Sequence, residues 1–163
     1  RKLIDKLAEA SQKGVKIHLI IRGICCLVPG VPGKTENITV TSIVGRFLEH
    51  SRIYMFGSGE NSRIYISSAD IMTRNQSRRV EIACPVYDSH IKDFITQYVH
   101  LLINDNVKSR TLLPDGNYVR PIVGEGSKRV DAQRYYIDNP PFIGSDEPEK
   151  KTFFDKIKVL FGK

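Results

Sequence analysis

A chain of 163 residues, 40% hydrophobic and 26% charged, can bury one full core and has the composition of an ordinary globular protein. No apolar run reaches the ~20 residues of a membrane-spanning helix and no signal peptide is visible. A cytoplasmic protein is therefore expected, with association at a membrane surface as the alternative. The net charge of +7 favours an anionic partner, and three cysteines, two of them adjacent at Cys25-Cys26, fit neither a disulfide framework nor a zinc pattern. The adjacent pair, inside an apolar strand, reads as buried thiols.

The chain opens inside a helical pattern, as expected of a piece of a longer protein. Leu3, Ile4, Leu7, Ala8 and Ser11 share one face of a helix over 2–13, and Gly14 stops it. The β-branched run 15–21 predicts a strand buried on both faces, ending at Arg22-Gly23, where open α/β sheets place ligands. A Pro/Gly loop covers 29–33, and 38–44 alternates like a strand. Next, 52–56 and 63–67 form a hairpin around the Gly57–Gly59 turn, followed by a short helix over 71–76 capped by Ser68 or Asp70. Residues 78–86 predict a strand ended by Pro85. Residues 88–104 predict the clearest helix, capped by Asp88 or Ser89, with Ile91, Phe94, Ile95, Tyr98, Val99, Leu102 and Ile103 on one face. A Pro-Asp-Gly turn at 114–116 marks a small hairpin within 112–119. Residues 1–124 read as the domain and 125–163 as a tail, whose last stretch, 151–163, suits a basic amphipathic helix. The whole predicts an α/β fold with a mixed, mostly parallel sheet flanked by helices.

The hairpin brings His50, before one strand, near Ser67, Ser68 and Asp70, after the other. One imidazole, two hydroxyls, a carboxylate and several guanidiniums suit phosphoryl chemistry: an imidazole takes a phosphoryl group or moves a proton, and Arg forks match phosphate oxygens. His50 is the histidine set among polar residues at a strand edge. His18 falls inside an apolar strand, and His90 and His100 lie in the long helix, so these three read as structural or exposed. Arg22, His50 and Arg79 are expected along one sheet edge, with Arg52, Ser68, Asp70 and Asn75 around them.

His50-Ser51-Arg52 followed by Ser67-Ser68-Ala69-Asp70 resembles the phospholipase D motif, His-x-Lys and then Gly-Ser-x-Asn. Arg52 replaces the Lys, Ser67 the Gly and Asp70 the Asn, and no acid stands in Tyr54–Gly57. The likeness therefore implies a shared fold rather than a shared reaction. A closer resemblance covers about 2–121. The strings IRGICCL, PGVPG, ENITVTSIVGRFLEHSRIY, SSADIMTRN, RRVEIACPV and LLPDGNYVRP look like the last, phospholipase-D-like domain of bacterial polyphosphate kinases.

That resemblance implies reversible transfer of the terminal phosphate of ATP to polyphosphate through a phosphohistidine on a preceding domain, absent here. The isolated segment is then expected to be inactive. His50 matches the second essential His and is implied to face the phosphohistidine, as acid/base or as a ligand of the γ-phosphate. Arg22 resembles a contact to the ATP phosphates, and Arg79 a residue lining the phosphate tunnel. Magnesium ligands are implied on the missing domains, with no metal site in this chain. The implied partners are polyphosphate, ATP/ADP, the preceding domains and further copies of the enzyme in a homo-oligomer, without specific nucleic acid. Two other readings are a phosphodiesterase half-domain that pairs two His50 sites by dimerising, and a basic module that binds nucleic acid by stacking bases on exposed tyrosines.

Overall fold

The computed structural model describes residues 1–124 and 126–140; the 151–163 stretch expected as an amphipathic helix, and most of the expected tail, lie outside them. The chain forms two compact units, one of Arg1–Leu48 with the described residues from His100 onward, the other Glu49–Val99.

In the first unit, helix α1 (Lys2–Gln12) precedes strands β1 (Ile17–Ile20) and β2 (Ile38–Ile43). Strands β6 (Ser109–Leu112) and β7 (Tyr118–Val119) complete a sheet of order β1-β2-β6-β7. Leu27, Ile38, Val40 and Leu112 form its buried centre, and Ile4 and Leu7 from α1 pack on it with Ile17 and Leu19. Ser11 ties the helix to the sheet: its hydroxyl accepts from the Asn37 backbone N–H at 3.1 Å, and its carbonyl accepts from the Asn37 carboxamide at 2.9 Å. Leu113 and Asn117 close the β6–β7 turn, in which Gly116 takes φ +88°.

In the second unit, β3 (Ile53–Phe56), β4 (Arg63–Ser67) and β5 (Ala83–Val86) make a three-stranded sheet, with helix α2 (Thr73–Arg78) between β4 and β5. Helix α3 (Ser89–Ile103) follows, its N-terminus capped by the Asp88 carboxylate, which accepts from the Ile91 N–H at 3.0 Å. Ile95 buries its face in this unit, and Leu101 and Leu102 bury theirs in the other.

The α/β class and the mixture of strand directions hold, but the strand pairing differs from expectation. The described residues make two sheets rather than one. Only β1–β2 is a parallel pairing among them; β2–β6, β6–β7, β3–β4 and β4–β5 are antiparallel. Tight turns join β3 to β4 and β6 to β7, and a tight turn reverses the chain, whereas β4–β5 and β2–β6 pair antiparallel across longer connections. Among the described residues strand β1 has one neighbour, β2, and it is only half-buried, with His18 exposed. Cys26 is exposed and Cys25 half-buried, so the adjacent pair are not buried thiols. Pro85 lies inside β5 rather than ending it, which an edge strand tolerates because one side needs no donor.

Beyond Gly124 the chain keeps contact with the first unit. Val130 and Ala132 are buried, and helix α4 (Ala132–Asp138) begins there, capped by Asp131. Asp105, 3% exposed, organises this region. One carboxylate oxygen accepts from the N–H groups of Val107 (3.0 Å), Lys108 (2.7 Å) and Ser109 (3.0 Å), and the other from Ala132 (2.8 Å). Four backbone donors thus share one buried acceptor group. Asp105→Ala leaves them without it and should lower stability by about 3 kcal/mol. Hydrogen exchange should show lost protection at Val107–Ser109 and Ala132; unchanged protection there would contradict this role.

Candidate functional site

The sheet of the second unit explains why distant residues meet. Strands β3 and β5 both pair antiparallel with β4, so both begin at the end where β4 finishes. His50, ahead of β3, Ser67–Asp70, closing and following β4, and Arg79–Ile82, ahead of β5, therefore gather at one end of the sheet. Gly57 (φ +77°) lets the β3–β4 hairpin turn, and the Ser67 N–H donates to the Arg52 carbonyl at 2.9 Å to extend the ladder by one step.

Arg52 is the centre of this end. Its Nε and Nη2 donate to the two carboxylate oxygens of Asp70 at 3.0 and 3.2 Å, a two-pronged fork on a side chain only 18% exposed. Its Nη1 reaches back to the His50 ring at Nδ1 (2.8 Å) and to the His50 carbonyl (2.9 Å). The carboxylate holds the Arg52 pKa above its ordinary value, mainly through these hydrogen bonds. Asp70 is held in turn from its chain neighbour: the Tyr54 hydroxyl donates to the Ala69 carbonyl at 3.0 Å, and the Ala69 N–H donates to Ser67 Oγ at 3.1 Å. On the other side of His50, Tyr98 of α3 donates to Glu49 at 3.0 Å. His50 itself is exposed between these two ties.

The serines face another way. Ser68 donates its hydroxyl to Glu81 and accepts from the Ile82 N–H at 3.1 Å, while Ser67 donates to the Ile82 carbonyl at 2.9 Å. Arg79 is exposed and stands 3.9 Å from Glu81. Neither Ser68 nor Asp70 caps α2, since Glu81 and Arg52 engage them; the N-cap is Met72, without a side-chain bond. Asn75 is 3% exposed, and its carboxamide oxygen has no hydrogen-bond donor among the described residues. Such an orphaned acceptor costs about 1–3 kcal/mol and so asks for a functional reason.

Arg22, half-buried, follows β1 in the first unit, two residues after the strand ends. It therefore belongs to a different sheet from His50 and Arg79, and the expectation of one shared sheet edge is corrected to two. Tyr98 carries no sequence signal as a tie on Glu49, because a tyrosine at helical spacing reads as core, and Glu81 has the pattern of an ordinary strand residue.

Among the described residues no group of three His, Cys, Asp or Glu side chains is placed to hold a metal ion. Around His50 the acids Asp70 and Glu49 are engaged by Arg52 and Tyr98. These residues do not fit a magnesium site.

Residues 1–133 match the family model described as polyphosphate kinase C-terminal domain 2. The chain belongs to that family. It is 52% identical over 149 residues to a polyphosphate kinase of Erythrobacter litoralis, which covers 87% of this chain and 20% of that protein. A polyphosphate kinase of Staphylococcus saprophyticus is 46% identical over 171 residues, covering 99% of this chain and 24% of the relative. The crystal structure of polyphosphate kinase from Porphyromonas gingivalis superposes with a TM-score of 0.79 at 40% identity, over 85% of this chain and 22% of that one. The chain thus spans about a fifth of the length of these relatives. The α/β fold read from the sequence is the fold of this family.

Burial, and then the Glu49 carboxylate, push the Tyr98 pKa up to about 12. The folded protein therefore keeps a proton that the unfolded chain loses near pH ~10. The stabilisation is full below that pH and is lost as pH rises toward about 12. Wild type should exceed Tyr98→Phe in thermal stability at neutral pH, and the gap should close across this window. A gap independent of pH would contradict the role of this phenol.

Proposed function

We propose that this chain is the C-terminal catalytic domain of a polyphosphate kinase, which reversibly moves the terminal phosphoryl group of ATP onto polyphosphate through a phosphohistidine on a preceding domain. Family membership supports the reaction class. The observation that carries the site is an exposed imidazole held by Arg52, itself forked on Asp70, next to a Glu49 tied by Tyr98.

In the forward direction the nucleophilic imidazole forms a bond to the γ-phosphorus while the bond to the β–γ bridging oxygen breaks, its electron pair leaving with ADP. In the second step a terminal polyphosphate oxygen forms the new P–O bond as the P–N bond breaks, and the histidine returns. Charge spreads over the phosphoryl oxygens in both steps, so positioning and positive charge are what the protein must supply. His50 meets the moving group in this reading, Arg22 binds ATP phosphate oxygens and Arg79 contacts the polyphosphate chain, both as planar forks of donors that match phosphate oxygens. The net charge of +7 suits a polyanionic substrate. The isolated segment, lacking the nucleophile, does not turn over.

In the full-length enzyme, His50→Ala should lower ATP-to-polyphosphate transfer by about 10²-fold or more with the fold intact. Arg22→Ala should raise the KM for ATP. Near-wild-type transfer by His50→Ala would sink this reading.

A further inference from the structure

The contact between Arg52 and the His50 ring determines more than position. A guanidinium has five N–H donors and no acceptor. The His50 Nδ1 atom, 2.8 Å from Arg52 Nη1, must therefore be the unprotonated nitrogen, and the neutral ring carries its proton on Nε2. Protonating Nδ1 would point an N–H at another N–H and break the bond. The same Nη1 also donates to the His50 carbonyl, so ring and backbone are gripped together. Arg52 cannot readily swing away, because its Nε and Nη2 are forked on Asp70, and Asp70 follows a carbonyl pinned by Tyr54.

We propose that Arg52, anchored by Asp70, is a positioning residue that fixes His50 as a neutral Nε2–H hydrogen-bond donor to the transferring phosphate. This inference rests on the function proposed above and deepens it. A neutral imidazole that gave up its Nε2 proton would become an imidazolate, which is far too basic to form in this step. The proton therefore stays on Nε2 throughout. His50 stabilises charge building on a phosphate oxygen without protonating the leaving ADP, as a preorganised donor does. Phosphorus changes partner as described above, and no proton passes through His50.

The test is a double-mutant cycle in the full-length enzyme, followed by steady-state transfer from ATP. Arg52→Met should lower kcat by about 10-fold or more while the KM for ATP stays within about threefold, since Arg52 acts through His50 rather than on the nucleotide. In a His50→Ala background the same substitution should cost nothing further. A full additional loss in that background would overturn the inference. Asp70→Asn, which keeps the shape and weakens the fork, provides a second cycle should Arg52→Met fold poorly; its loss should likewise vanish without His50, and persistence would count against the anchor.

His50→Gln separates the two chemistries. A glutamine amide can donate a hydrogen bond but cannot deliver a proton, so this variant should stay at least ~10-fold more active than His50→Ala. Equal inactivity of the two would show that a proton must be transferred and would overturn the neutral-donor role. Full activity of His50→Ala alone would instead remove the underlying function, a result distinguishable from either of these failures.

Discussion

The fork of Arg52 on Asp70 is the interaction on which the candidate site depends. It joins the residue before β3 to Asp70, three residues beyond β4, and commits two guanidinium nitrogens to the carboxylate. The third nitrogen is left facing the His50 ring and carbonyl. An arginine is suited to this because its planar donors are fixed relative to one another, so anchoring two of them aims the third. A lysine would supply charge without that aim.

The rest of the second unit serves that geometry. Two antiparallel pairings bring three chain segments to one end of a small sheet, and each segment is tied there by polar contacts as well as by packing. Tyr54 pins the Ala69 carbonyl, Ser67 and Ser68 bind the backbone at Ile82, and Tyr98 holds Glu49. The result is an exposed imidazole on a braced backbone, which under the proposed function lowers the ordering cost of meeting a phosphate. The first unit has a more conventional basis, an apolar centre under α1 and a buried carboxylate at Asp105 that gathers four backbone donors.

The sequence revealed the elements whose signal is local. Alternation in 63–67 and in 38–43, glycines at the turns, and the apolar face of 89–103 each follow from short-range chemistry, and these elements form where expected. The gathering of His50, Arg52 and Asp70 was also legible, because a hairpin fixes which residues lie opposite one another. Long-range pairing was not. Nothing in 15–21 says that β1 has one neighbour, and nothing in 78–86 separates its sheet from that of β2. Helix α4 escaped notice because its start depends on Asp105, 27 positions earlier, rather than on its own polar sequence. Either Ser68 or Asp70 suits a cap by its place in the sequence, whereas Glu81, far along the chain, takes the Ser68 hydroxyl and Arg52 takes Asp70.

The central claim is that His50 assists a phosphoryl transfer whose nucleophile lies elsewhere in the enzyme. Single-turnover formation of the phosphoenzyme from radiolabelled ATP tests it most directly, comparing full-length wild type with His50→Ala. The account predicts that the variant still forms the same acid-labile phosphohistidine, but about 10²-fold more slowly at saturating ATP. Formation at the wild-type rate would contradict it, and would leave His50 as a braced surface residue with no part in the chemistry.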